Sequence, residues 1–293
     1  MTGVMIMGDH GAWCGGRGGG WLKGMRTFPR IPVNWWGLML RAAVAFGILL
    51  AGNAARPWGE DNPVAVAGWY LVSCLLIVAC TAAWVCWVEG RSWRALLAWP
   101  GAFWLGTAIV VPLTLLAHLL YAGIGYLRGE ATTEFLGQYP TGWVLAGSVC
   151  FVFMRSYILQ ALPEELIYRG WLADVTRDRP RLTLAWTTAA FTVVHLVSSG
   201  GQEGLGDRVV YLALPLGMGL LAGALRLTTG SVWGGVATHG GMHMVNSLTP
   251  PLVAAHGFDA AWVLLLGGLQ ALAAAVILRR RGFSQRKPHI VGC

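Results

Sequence analysis

The sequence predicts an all-α polytopic membrane protein with about eight transmembrane helices. Of its 293 residues, 56% are hydrophobic and only 12% are charged, and the mean hydropathy is +0.58. A soluble globular domain carries about 25% charged residues. Here the charges lie mostly in short gaps between long apolar segments, and a helix needs roughly 20 apolar residues to cross the hydrocarbon core. The 16 Trp, many near segment ends, suit the two membrane interfaces.

Eight apolar segments account for this helix count. In chain order they are residues 35–52, 64–88, 98–121, 143–162, 182–197, 209–225, 231–248 and 260–278. The first is interrupted by Arg41, and the fifth and seventh are short and carry histidines. The fourth can extend if the helix continues through Pro163 to about residue 172, and a proline at that position bends a helix.

The distribution of positive charge predicts that both termini are cytoplasmic. Sixteen Lys and Arg residues lie on the side that would be cytoplasmic, among them Arg169, and three lie opposite, at Arg56, Arg128 and Arg208. This bias follows the positive-inside rule. Membrane topology therefore accounts for much of the net charge of +8, which we do not interpret as a nucleic-acid-binding surface.

The chain is predicted to hold one membrane domain. We assign residues 1–34 to a Gly-rich, basic cytoplasmic segment, 35–278 to the transmembrane domain with its motifs in 144–248, and 279–293 to a basic cytoplasmic tail. No apolar region precedes the first span, so we expect no cleavable signal peptide, and Met25 is an alternative start to Met1. The six cysteines form no CxxC pair and are interpreted as small apolar fillers.

Two adjacent carboxylates, Glu164 and Glu165, follow the fourth apolar segment, and Arg169 comes four residues after the second. Ionisable groups inside a bilayer are expensive and mark a functional site by default. The alternative is a surface pair between Glu165 and Arg169, worth about 0.2–0.5 kcal/mol, with both acids in the headgroup layer. A helix that continues through Pro163 would carry Glu164 into the membrane instead.

Histidines supply further polar groups inside the predicted spans. His195 ends the FTVVH stretch of the fifth span, where it could also be a neutral histidine bonded to a neighbouring helix. In the seventh span, His239, His243 and Asn246 are spaced 0, 4 and 7, which places them on one helical face. Glycines around them let another helix or a substrate approach closely. We expect the acids and histidines to meet in a polar cavity open to the cytoplasmic side.

Three motifs follow one another along the chain: EExxxR, FxxxH and a Trp-containing span with a His motif. In this order they resemble the CAAX protease and bacteriocin-processing (CPBP) family. These are glutamate-type intramembrane endopeptidases and include the Ras-converting CaaX protease; the resemblance covers residues 144–248. It implies that Glu164 and His195 hold and activate the attacking water, and that Glu165 and Arg169 pair to orient the site. It also implies that His239 belongs to the oxyanion pocket.

One position departs from the family pattern. The family usually has Asn four residues after the oxyanion histidine, whereas this chain has His243, with Asn246 three residues further on. Either side chain can donate a hydrogen bond from the same helical face. The second oxyanion donor is therefore His243 or Asn246.

No cofactor is expected, because a glutamate–histidine pair can activate water unaided. Zinc remains an alternative, with Glu164, His195, His239 and His243 as a possible ligand set. The chain has no GxSxG or HExxH motif, so the serine-hydrolase and standard zinc-protease classes lack support.

The predicted function is hydrolysis of a peptide bond in a membrane-anchored or lipidated protein or peptide. CaaX-type processing, bacteriocin-leader removal and cleavage of a C-terminal sorting signal all fit. Two other hypotheses stay open: an inactive scaffold or immunity protein of the same fold, and a proton-coupled transporter, which would show an inverted repeat of spans that we do not find. The expected location is the inner or plasma membrane, with lipid and substrate as partners and no nucleic acid.

Overall fold

The computed structural model describes residues 31–54, 62–92, 100–130, 141–198, 201–249 and 258–281. Over these ranges the protein is all-helical, as predicted. The main helices are α1 Trp35–Ala54, α2 Pro63–Val88, α3 Ala102–Arg128, α4 Gly142–Val175, α5 Pro180–Val194, α6 Leu205–Thr229, α7 Trp233–Leu248 and α8 Ala260–Arg281. The alternative start at Met25 and most of the basic tail lie outside the described residues.

Six of these helices are long and apolar enough to cross a membrane, namely α1, α2, α3, α4, α6 and α8. The other two, α5 and α7, have 15 and 16 residues. They correspond to the short, histidine-bearing fifth and seventh segments of the sequence. The chain is thus an integral membrane protein, while eight spans and cytoplasmic termini stay predictions.

Helix α4 continues through Pro163 to Val175, so the extension of the fourth segment is confirmed. Proline lacks a backbone N–H, and its ring clashes with the carbonyl four residues earlier. In α4 the short α-helical stretch Leu162–Glu165, which contains Pro163, lies between two π-helical stretches, Met154–Ala161 and Leu166–Leu172. In a π-helix the backbone hydrogen bonds join residues five apart, and such stretches often occur at functional sites.

Glycines hold two helix pairs in close contact. A Cβ atom on Gly106 of α3 would stand 2.6 Å from the carbonyl oxygen of Gly234 on α7, and one on Gly217 of α6 would stand 2.0 Å from that of Gly267 on α8. Real Cβ atoms essentially never come this close. Helices α6 and α7 are therefore each braced by a helix from outside the motif region.

Arg41, which interrupts the first segment, is buried and paired with Glu89 at the end of α2. Its Nε and Nη2 atoms donate to the two carboxylate oxygens at 2.7 and 3.1 Å. The Nε1 atom of Trp171, on α4, donates to the same carboxylate at 3.0 Å. This cluster joins α1, α2 and α4, which gives Arg41 a structural partner that lies 48 residues away in the chain.

Candidate active site

A cavity of about 140 Å³ lies among α4, the end of α5, α6 and α7. Four predicted catalytic side chains line it: Glu164, His195, His239 and His243. They come from three separate helical segments, so only the folded chain brings them together. Glu165 and Arg169 do not line the cavity, and neither does Asn246.

Glu164 presents a carboxylate oxygen to which no residue of the described ranges donates a hydrogen bond. Its Oε2 atom is buried and has no hydrogen-bond partner within the described ranges. A buried carboxylate oxygen without a partner is costly, so it calls for a donor such as water or substrate. The acid therefore faces the cavity ready to accept a hydrogen bond.

His195 lies just past the end of α5, in a single 3₁₀ turn His195–Val197. Its Nδ1 atom is 2.7 Å from the carbonyl oxygen of Phe191, four residues earlier. A carbonyl oxygen can only accept, so Nδ1 carries the proton and the neutral ring keeps its lone pair on Nε2. Neighbouring backbone thus fixes which nitrogen of His195 can accept a proton in the cavity.

A buried triad joins the cavity wall to the interior: His239 lines the cavity, and Glu165 and Arg169 lie behind it. The Nη1 atom of Arg169 donates to Oε1 of Glu165 at 3.0 Å, and Nδ1 of His239 lies 3.2 Å from the same oxygen. The side chains of Glu165 and Arg169 are 0% and 1% exposed. The surface-pair alternative for these residues is therefore wrong, and Arg169 does not belong among the charges of the cytoplasmic loops.

Further contacts fix the guanidinium of Arg169. Its Nη2 atom donates to the carbonyl oxygen of Gly219 on α6 at 3.0 Å. Its Cζ atom stands 4.5 Å from the ring centroid of Phe191 on α5, within the range of a cation–π contact. Arg169 therefore links α4 to α5 and α6. These contacts also fix the position of the Glu165 carboxylate, which in turn holds His239.

The two candidates for the second oxyanion donor occupy different places. The ring of His243 lines the cavity, with its centroid 5.2 Å from that of His239. Asn246 lies one turn further along α7, and its Oδ1 atom is buried without a partner in the part of the chain that the structure describes. The geometry favours His243 for this role.

Two glycines of α7 make room for these side chains. A Cβ atom on Gly235 would stand 2.4 Å from Oε2 of Glu165, and one on Gly240 would stand 2.3 Å from the ring of Tyr157. Any side chain at these positions would collide with α4. The glycine pattern of the seventh segment therefore serves a close approach between α4 and α7.

The zinc ligand set has no geometric support. In the described ranges, no group of three or more His, Cys, Asp or Glu side chains is arranged to hold a metal ion. We therefore derive no step through a metal.

Sequence reasoning missed three polar residues of the cavity lining, Gln160, Ser198 and Tyr211. Gln160 stands four residues before Glu164 on α4, so helical spacing could have placed it on the same face. Ser198 follows the fifth segment and Tyr211 lies near the start of the sixth, and neither carries such a signal. The remaining wall is apolar and consists of Leu214, Pro215, Met218 and Met242.

Comparison with known proteins assigns this region to a family. Residues 146–245 match the family model described as type II CAAX prenyl endopeptidase Rce1-like. No curated protein and no solved structure matches the chain. The matched segment contains both glutamates and all three histidines of the site, and it ends one residue before Asn246. The resemblance found in the sequence is thus confirmed: residues 146–245, about a third of the chain, are similar to the Rce1-like type II CAAX prenyl endopeptidases.

Proposed function

We propose that this protein is an intramembrane endopeptidase of the glutamate type. One observation carries the proposal: an unpartnered carboxylate oxygen of Glu164 and the ring of His195 line the same cavity inside a helical membrane protein. The family match supports CAAX-type proteolysis in general. The roles of the individual residues are our own assignment from the geometry.

Glu164 and His195 are suited to holding the attacking water. The ionised carboxylate and the Nε2 atom of His195 are both acceptors, so a water between them donates one O–H to each. Its oxygen lone pairs then remain free to attack the carbonyl carbon of a peptide bond. As the C–O bond forms, the water gives one proton to Glu164, which acts as general base.

The histidines of α7 are suited to stabilising the resulting oxyanion. Because the carboxylate of Glu165 can only accept, Nδ1 of His239 carries a proton, and the ring offers an Nε2–H to an oxyanion when it is doubly protonated. His243 stands beside it as the second donor. Donors placed in advance where negative charge develops are each worth about 10²–10³ in kcat.

Collapse of the tetrahedral intermediate completes the reaction. Glu164 returns its proton to the leaving nitrogen, the C–N bond breaks, and the second water proton passes from the new carboxyl group to His195. Glu165 and Arg169 act through His239 and touch neither the water nor the substrate, so we assign them as positioning residues.

The proposed substrate is a membrane-anchored or lipidated peptide. The apolar wall of the cavity suits aliphatic side chains next to the scissile bond, and the matching family is described as acting on prenylated CAAX sequences. We place a prenylated CAAX peptide first. Bacteriocin leaders and C-terminal sorting signals remain candidates because they share an apolar, membrane-tethered character.

The test compares the wild type with Glu164→Ala and His195→Ala in lipid nanodiscs, using a prenylated CAAX reporter and the peptides released from cell membranes. Each variant should lose about 10²–10⁴ of the cleavage rate, because each removes a group that acts on the water. Ser148→Ala is the control, since Ser148 does not line the cavity and its hydroxyl donates to the carbonyl of Val144 on the same helix. Wild-type rates in both variants would exclude this mechanism, and a wild-type protein that releases no peptide would leave the scaffold or transporter hypothesis.

A further inference from the structure

Gln160 carries an amide side chain that lines the cavity. It lines the cavity with Glu164 and makes no hydrogen bond to any described residue. It lies at the end of the π-helical stretch Met154–Ala161, next to Pro163. Its side chain is half-buried, so the amide is open to the cavity, and nothing in the proposed hydrolysis of the peptide bond uses it.

The substrate of an intramembrane protease needs hydrogen-bond partners for its backbone near the scissile bond. A peptide must lose its helical hydrogen bonds near the scissile bond before water can reach the carbonyl. Its freed N–H and C=O groups then have no bulk water to bond, and each unsatisfied group costs several kcal/mol in hydrocarbon. The primary amide of glutamine has one acceptor oxygen and an NH₂ donor, so it can pair with the N–H and the C=O of one residue in an extended strand, which point to the same side.

The spacing along α4 indicates which peptide unit is within reach. Gln160 and Glu164 are four residues apart, or about 6 Å along the helix axis. An extended chain advances about 3.3 Å per residue. A strand that lies along α4 with its scissile carbonyl at Glu164 therefore presents to Gln160 the backbone of the residue about two positions away.

We propose that Gln160 binds the backbone of the substrate about two residues from the scissile bond and so holds it extended along α4. This inference rests on the proposed function and adds a substrate-binding residue to it. The apolar wall opposite, formed by Leu214, Pro215, Met218 and Met242, receives the side chains of the same strand. Because Gln160 contacts backbone, it favours an unwound apolar segment without reading its sequence.

The first test replaces the amide by an apolar group of similar volume, Gln160→Leu, with Ser148→Ala on the same helix as the control. With the prenylated CAAX reporter in nanodiscs, KM should rise about tenfold, which corresponds to the loss of one hydrogen bond. The value of kcat should stay unchanged, because the contact lies away from the attacked carbonyl. An unchanged KM overturns the proposal, and so does a fall in kcat together with the unfolding temperature, which would indicate a structural role.

The second test replaces single peptide bonds of the reporter by esters, which removes one N–H donor at a time. In the wild type, KM should rise for an ester about two residues from the scissile bond and not for the others. In Gln160→Leu the same ester should cause no further loss, because the two changes remove one interaction.

The ester scan on the wild type also decides the question if Gln160→Leu does not fold. A scan in which no position stands out overturns the inference while leaving the proposed function intact. Absence of Glu164-dependent cleavage would instead refute the proposed function, and this inference with it.

Discussion

Adding one methyl group at Gly235 should inactivate the site while leaving the fold in place. The Cβ atom of an alanine there would stand 2.4 Å from Oε2 of Glu165 and 3.1 Å from its Cδ. The carboxylate cannot avoid it by moving into solvent, since Glu165 is 0% exposed. It must therefore shift against the residues that hold it.

The size of this shift follows from the contact distances. Ordinary van der Waals contact begins at 3.4 Å, so the oxygen must move by about 1 Å. A shift of this size strains or breaks the bonds from Arg169 at 3.0 Å and from His239 at 3.2 Å. Misplacement by 1 Å can cost about 10²-fold in rate, which we expect for Gly235→Ala.

Stability should change much less than activity. Overpacking costs about 1–3 kcal/mol, and replacing glycine by alanine inside a helix returns about 1 kcal/mol. The assay is reporter cleavage in nanodiscs, together with thermal unfolding in the same preparation. Gly234→Ala is the matched control, because it is the adjacent glycine and its Cβ would meet Leu225 at 3.1 Å rather than Glu165.

A Gly235→Ala protein that cleaves the reporter as fast as Gly234→Ala would refute this reasoning. It would mean either that the position of Glu165 does not matter for catalysis or that the carboxylate has a second arrangement of equal activity. A protein that loses activity only because it unfolds would show the same loss in the unfolding temperature, and the comparison separates that case.

Two further predictions concern charged groups away from the cavity. Glu89→Ala removes the carboxylate that pairs with the buried guanidinium of Arg41, so it should destabilise the protein by about 3–5 kcal/mol in denaturant unfolding. The control Asp178→Ala removes an exposed carboxylate and should change stability by less than about 0.5 kcal/mol. An equal effect of the two would contradict the buried pair. Burial raises the pKa of Asp259, but hydrogen bonds from the Tyr121 hydroxyl and from backbone N–H groups together lower it by more. The net pKa therefore lies below its ordinary value. A carboxyl group whose pKa is lower in the folded than in the unfolded protein stabilises the fold at pH values above its unfolded pKa, and this contribution is lost as the pH falls through the folded pKa. The stability difference between wild type and Tyr121→Phe should therefore shrink below about pH 4 in thermal unfolding. A difference that is constant or grows toward low pH would contradict this assignment.

The sequence predicted the helices well because burial in lipid leaves a strong signal. The predicted bounds of the first two segments differ from α1 and α2 by at most two residues at either end, since apolar runs end where the helices end. The π-helical stretches of α4 were not predictable from the sequence. Hydropathy does not distinguish a backbone hydrogen bond between residues four apart from one between residues five apart. They depend on how α4 fits around Pro163 and against α7.

The chemistry of the site was predicted less evenly. Glu165 and Arg169 are spaced four apart whether the pair is exposed or buried, so only the fold could decide between the two. Arg41 showed no partner in the sequence, because Glu89 is 48 residues away. Gln160 was overlooked for a different reason: a single neutral polar residue in an apolar segment does not stand out by charge, although its spacing of four from Glu164 was a usable signal.

The glycine contacts at Gly106 and Gly217 set a lower limit on the size of a working protease. The segment that carries every proposed catalytic group, residues 146–245, includes neither α3 nor α8. Cut out alone, it would expose two flat, small-residue surfaces to lipid where those helices now lie against its backbone. Transplanting the motif region into another membrane protein would therefore require a host that presents glycine at the same two crossings.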